Sequence, residues 1–125
     1  MLFSFKLLAL PLLATLGVNA ATPLEFDGTA TRGFTPAAKL CTCPAGSPGA
    51  SSALLAAVPS QFTNSLDRCC TTMVHVRYND KIVTAVFAGF YEGPGIEDIE
   101  LSDAAFDVLA DDAGQTELDV LWGFN

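Results

Sequence analysis

Asn79-Asp80 joins two β-rich runs, Met73-Val-His-Val-Arg-Tyr78 and Lys81-Ile-Val-Thr-Ala-Val-Phe87, and this pattern restricts the chain more than any other stretch of it. Asn and Asp tolerate the left-handed backbone that a two-residue hairpin turn requires, so the two runs are expected to fold back on each other. With Tyr78 facing Lys81, Val76 meets Val83, Val74 meets Ala85 and Thr72 meets Phe87 on one apolar face. His75 with Thr84 and Arg77 with Ile82 take the other face. A sheet with an inside and an outside follows.

The chain opens with Lys6, an apolar run from Leu7 to Leu16, and the small residues Val18 and Ala20 at the positions a signal peptidase reads. That run is short for a bilayer span and lacks a stop-transfer flank, so residues 1–20 read as a cleaved secretory signal. Cleavage after Ala20 leaves about 105 residues, enough for one small domain. Residues 21–27 read as a lead-in and 28–125 as the domain. The product would be secreted, extracellular and monomeric.

Without Lys6, five basic residues stand against fourteen acidic ones, a net charge of −9. Ten of the acids fall between Glu92 and Asp119, and no Lys or Arg follows Lys81. Such a surface repels nucleic acid and anionic membranes, so neither is an expected partner. No acidic cluster has the spacing of a calcium loop, and no cofactor or metal is expected.

All four cysteines, Cys41, Cys43, Cys69 and Cys70, lie beyond the signal. An even number in a short secreted domain predicts disulfides, and the spacings lack the gaps and histidine partners of a zinc site. Bridging neighbours along the chain would strain the backbone, whereas joining the two segments closes a loop of roughly 28 residues, worth about 3.5 kcal/mol in the chain-entropy model. Two long-range bridges are expected, with 41–70/43–69 and 41–69/43–70 equally open.

Elsewhere the signals are local. Pro36, Pro44, Gly46, Pro48 and Gly49 predict a loop over 33–52, and Ala53–Val58 fits a buried strand or a helical turn by periodicity, with its short length and the stop at Pro59 favouring strand. Residues 60–66 read as a turn or a single helical turn. Ser102 is a good N-cap, Asp103 suits the first turn, and Gly114 marks the end of a short helix. Leu118, Val120, Trp122 and Phe124 alternate with Glu117, Asp119 and Leu121, a half-buried last strand. Many short strands with one or two short helices describe a small, mainly β barrel.

Certain of these stretches carry a family likeness. They are Gly28-Thr-Ala-Thr31, a cysteine about ten residues on, Pro59 with Phe62, a cysteine before the Val-His-Val-Arg-Tyr-Asn-Asp-Lys hairpin, and Asp98-Ile-Glu-Leu-Ser-Asp-Ala-Ala-Phe-Asp-Val-Leu-Ala110. In that order they resemble the double-psi β-barrel superfamily, which takes in rare-lipoprotein-A-like, barwin-like and expansin-like secreted proteins, with cerato-platanins similar in layout. The resemblance spans Phe26 to Phe124 and implies a six-stranded double-psi barrel of a kind common among fungal secreted proteins.

The chain departs from the catalytic relatives. They carry an aspartate at the end of the second hairpin strand, where this chain reads Val86-Phe-Ala-Gly-Phe-Tyr91. Glycoside cleavage takes two carboxyls, one protonated and one ionised. Glu92 or Glu97 on the next loop would have to supply the acid, and an exposed carboxylate rarely holds the raised pKa this needs. His75 is the sole histidine and has no free thiol to activate, so it reads as a surface strand residue. No catalytic residue is assigned.

The remaining candidates are Phe34, Phe90, Tyr91 and Glu92, the candidate ligand groove, with Phe87 as core or groove and Tyr91 the ring expected to be exposed. By resemblance the ligand is a cell-wall polysaccharide. The alternative is an effector or elicitor that binds a host or cell-surface protein through the acidic 92–119 face, and the third reading is a weak wall-modifying enzyme with a relocated acid.

Overall fold

A computed structural model of the protein describes residues 24–62 and 68–125. The expected signal segment lies outside the described residues. Seven strands form one sheet: β1 (Phe26–Arg32), β2 (Ala38–Leu40), β3 (Leu55–Val58), β4 (Met73–Tyr78), β5 (Lys81–Tyr91), β6 (Ile99–Leu101) and β7 (Glu117–Phe124). Their order is β2-β5-β3-β6-β1-β7-β4, and β4 also pairs with β5, so six strands close into a barrel with β2 attached outside the ring. β1 with β6 and β3 with β5 are parallel, and the other pairs are antiparallel. Closure leaves β2 as the edge that the ring itself does not cover.

The hairpin adopts the register read from its turn, with Tyr78 facing Lys81, Val76 facing Val83 and Val74 facing Ala85. Beyond the last paired residues, Phe87 N–H donates to Thr72 O at 2.8 Å. Asn79 takes the left-handed backbone at φ 55°, while Asp80 does not. Val74, Val76, Val83, Ala85 and Phe87 are buried as the alternation requires.

The core is built around Trp122, whose ring is fully buried and whose Nε1–H donates to Glu97 O at 2.8 Å. Phe26 and Phe62 pack on it at 4.9 and 5.5 Å between ring centroids. Such contacts suit rings that pack edge to face or tilted rather than stacked flat. Ser102 caps α2 (Asp103–Leu109) by accepting from Ala105 N–H, and Ala105, Phe106 and Leu109 bury the helix face against the barrel.

The register of β1 explains Gly28. A Cβ there would sit 2.1 Å from Glu97 O, so the loop before β6 crosses the strand where only glycine lets it pass. Asp98 fastens the same crossing, accepting from Thr29 N–H at 3.0 Å and from Gly95 N–H at 2.7 Å.

Four expectations are corrected. Phe26 and Asp27 are strand rather than lead-in, because they pair with Trp122 and Leu121. The stretch 33–52 is not all loop: β2 and a four-residue helix, α1 (Pro48–Ser51), lie within it, since proline is well placed at the first position of a helix. Helix α2 ends at Leu109, capped by Ala110, and Gly114 belongs to the turn after it. Tyr91 is buried at 7% exposure, not exposed, with Gly93 folded against its ring. Of the expected 60–66 turn, Ser60–Phe62 forms a single 3-10 turn and the rest falls outside the described residues. No helix among the described residues is long and apolar enough to cross a membrane.

Candidate functional site

The disulfides are Cys41–Cys69 and Cys43–Cys70, with Cα atoms 6.5 and 5.5 Å apart. Both long-range bridges therefore form, in the arrangement that keeps the two segments in parallel order. Cys70 holds φ 76°, a left-handed conformation rare outside glycine, and its N–H donates to Phe87 O at 2.7 Å. A Cβ on Gly49 would lie 2.7 Å from Cys43 Sγ, so α1 packs directly on the second bridge.

Cys41, Cys69 and Cys70 of these bridges line an apolar cleft of about 560 Å³, with Lys39, Leu40, Thr42 and Phe90 among its other lining residues. A smaller cleft of about 290 Å³, lined by Ala37, Lys39, Ser60, Phe90 and Glu92, shares Lys39 and Phe90 with it. Strand β2 brings them together. It lies antiparallel to the end of β5, with Lys39 opposite Phe90 and Leu40 opposite Gly89. Gly89 permits this approach, for a Cβ there would meet Lys39 O at 2.7 Å and Leu40 Cα at 2.9 Å.

Of the four residues singled out in the sequence, Phe90 and Glu92 meet in the smaller cleft. Phe90 is half-buried, its ring edge-on to Phe87 at 5.4 Å. Phe34 is half-buried on the β1–β2 turn and lines neither cleft. Tyr91 is buried because the loop after β5 folds back over it, so close that a Cβ on Gly93 would lie 2.5 Å from its ring, and it lines neither cleft. Phe87 is core, fully buried.

Glu92 is exposed and accepts hydrogen bonds from Ser60 N–H at 2.9 Å and Ser60 Oγ–H at 2.7 Å. The backbone bond first, then the hydroxyl, holds its carboxyl below the usual carboxylate range, which outweighs slight desolvation. Glu97 accepts from Asp27 N–H at 3.0 Å. Glu92 is thus held toward its ionised form, the reverse of what a proton donor requires.

Sequence reasoning missed Glu100. It is buried at 1% exposure on β6, where Thr35 N–H and Thr35 Oγ1–H reach its oxygens at 3.0 and 2.8 Å and Thr31 Oγ1–H at 3.3 Å. Thr35 also organises the turn into β2, accepting from Ala37 N–H through its hydroxyl and from Ala38 N–H through its carbonyl. The available signal was a lone acid between Ile99 and Leu101 in a run otherwise fit for a buried strand.

His75 joins the two ends of the domain. Its Nδ1 lies 2.8 Å from Asn125 Oδ1 and its Nε2 3.1 Å from Glu25 Oε2, and Arg77 pairs with the same Glu25 carboxylate. The ring is half-buried rather than a plain surface histidine. Among the described residues no group of three or more His, Cys, Asp or Glu is placed to hold a metal ion.

No family model matches the chain, and no curated protein matches it. Among solved structures, Streptomyces papain inhibitor (SPI) is similar in fold, with a TM-score of 0.57 and 23% identity, over 81% of this chain and 94% of that chain.

Proposed function

We propose that this chain is a secreted, monomeric double-psi β-barrel that binds an extracellular protein in the cleft beside β2, without catalysis. The closed six-stranded barrel with two parallel pairs supports the fold reading, and the two disulfides fit an oxidising compartment. The fold likeness to a protein named as a papain inhibitor agrees with a protein target.

One observation carries the preference for protein over polysaccharide. Of the rings expected in the groove, Phe90 alone lines the clefts, while Tyr91 and Phe87 are buried and Phe34 lies elsewhere. Sugar chains are held by rings presented flat along a surface, and one half-buried ring makes a poor platform. A mostly apolar cleft bordered by cystines and a sheet edge suits a protein segment better.

Polysaccharide binding remains the second reading. The smaller cleft sets the Phe90 ring beside Glu92 and Ser60, and an aromatic face next to a carboxylate acceptor fits one sugar unit. Absence of catalysis is supported by the state of the acids: Glu92 and Glu97 act as hydrogen-bond acceptors, and Glu100 is buried under Thr31 and Thr35.

Retention on insoluble chitin and cellulose tests the choice. No retention on either is expected; retention that Phe90→Ala abolishes would establish the polysaccharide reading instead. Release of reducing ends from either polymer, lost in Glu92→Gln, would overturn the non-catalytic reading.

A further inference from the structure

We infer that the outer edge of β2 is a strand-addition site, taking an extended segment of the partner that carries a bulky apolar side chain next to an acidic one. The inference rests on the protein-binding reading and names its chemistry.

The ladder of β2 on β5 fixes which backbone groups are left over. Cys41 N–H donates to Ala88 O at 2.8 Å, so Cys41 with Ala88 and, two residues back, Lys39 with Phe90 are the hydrogen-bonded pairs. The N–H and C=O of Leu40 therefore point away from β5. No other strand pairs with β2 among the described residues, so these groups face the open edge. An incoming strand would find both a donor and an acceptor there.

The side chains set the rest of the chemistry. Leu40 is 51% exposed and borders the 560 Å³ cleft, which Cys41, Cys69 and Cys70 also line. That volume accepts a residue as large as phenylalanine. Lys39 lines both clefts and makes no ion pair among the described residues, whereas Arg32, Arg77 and Lys81 each hold an acid. In a chain of such acidic surplus, a cation that lines an apolar cleft and holds no acid among the described residues selects a partner acid. Residue Lys39 also blunts the edge against indiscriminate pairing, so a partner must supply the complementary charge.

The test uses the secreted, oxidised protein, ¹⁵N-labelled, titrated with the capped peptide acetyl-Thr-Glu-Phe-Val-Thr-amide. Shifts at residues 38–42, 69–71 and 90 are expected, with slowed hydrogen exchange at the Leu40 amide. Backbone N-methylation of the peptide should weaken binding by about tenfold, the loss of one good hydrogen bond. Leu40→Pro should do the same, since it deletes an outward N–H and takes no bond from β5. Lys39→Glu should weaken the peptide by about fivefold and favour its Glu-to-Lys variant.

Peptide binding at the cleft that ignores N-methylation would overturn strand addition while leaving a protein ligand in place. Shifts at Phe90 with chitohexaose and none with peptide would overturn the protein-binding reading itself. Shifts elsewhere, no binding, or a concentration-dependent dimer that occupies residues 38–42 would each overturn the inference. If Leu40→Pro fails to fold, the N-methylated peptide on the unaltered protein decides alone.

Discussion

Glu100 and Thr35 are joined twice, the carboxylate accepting from the threonine N–H at 3.0 Å and from its hydroxyl at 2.8 Å. The pair ties the buried wall of β6 to the turn that launches β2, so a core residue positions an edge strand it does not touch through any ladder. Buried carboxylates persist in folded proteins when their lone pairs are filled in this way.

Glu100→Ala should therefore cost on the order of 2–3 kcal/mol, from a new cavity and donors left without an acceptor. Glu100→Gln, which keeps one acceptor oxygen, should cost less. Denaturant unfolding gives both values, and hydrogen exchange at residues 35–41 should accelerate in the alanine variant before exchange in β4 and β7 does. Equal losses in the two variants would show that the hydrogen bonds to Thr35 contribute nothing.

Removing one disulfide should cost far less than removing both. The bridges close nearly the same loop, with sequence separations of 28 and 27, so the second adds little closure entropy once the first is made. Cys41→Ala/Cys69→Ala and Cys43→Ala/Cys70→Ala should each lose less than the roughly 3.5 kcal/mol that one such loop supplies, and the fourfold alanine variant should lose more than the two added together. Additive losses in urea unfolding would contradict this account.

Asn79 sits at φ 55°, a conformation open to glycine and unfavourable for alanine. Asn79→Ala should destabilise the protein by about 1 kcal/mol, and Asn79→Gly should leave it unchanged or slightly more stable. Asp80→Ala, at a residue without positive φ, should do little. Thermal melts of the three variants decide it.

Glu92 carries a pH signature. Its carboxyl is lowered in the folded protein, so the stability it contributes is present above its unfolded pKa and is lost as pH falls through the folded value. Titration followed by ¹³C NMR should place Glu92 below the ordinary glutamate range, and Ser60→Ala should move it up by removing the hydroxyl while the backbone bond remains. An elevated Glu92 would restore it as a candidate acid.

Gly89→Ala should displace β2 while sparing the barrel. The added methyl would run into Lys39 O and Leu40 Cα, backbone atoms of a strand outside the closed ring. Amide shifts confined to residues 36–42 and 88–91 are expected, whereas Gly28→Ala, on ring strand β1 and against Glu97 O of the crossing loop, should lower overall stability by several kcal/mol. Similar losses of global stability in both variants would mean that β2 is part of the cooperative unit.

What the amino-acid order determined was local. The Asn79-Asp80 turn set the hairpin register because the turn and its flanking alternation lie within twenty residues, and Ser102 with Asp103 announced α2 because a cap acts over one helical turn. The alternation of Leu118, Val120 and Trp122 likewise marked the buried face of β7. Contacts between distant segments were decided elsewhere. Cysteine spacing allowed two pairings, and only the packing of 41–43 against 69–70 chose between them. Tyr91 looked like a groove residue until the fold of Gly93 covered it, and Lys39 gained its place at a cleft because β2, hidden among prolines and glycines, finds its hydrogen bonds on a strand fifty residues away. Exposure and partner are properties of what lies across a sheet, and composition along the chain does not encode them until the barrel has closed.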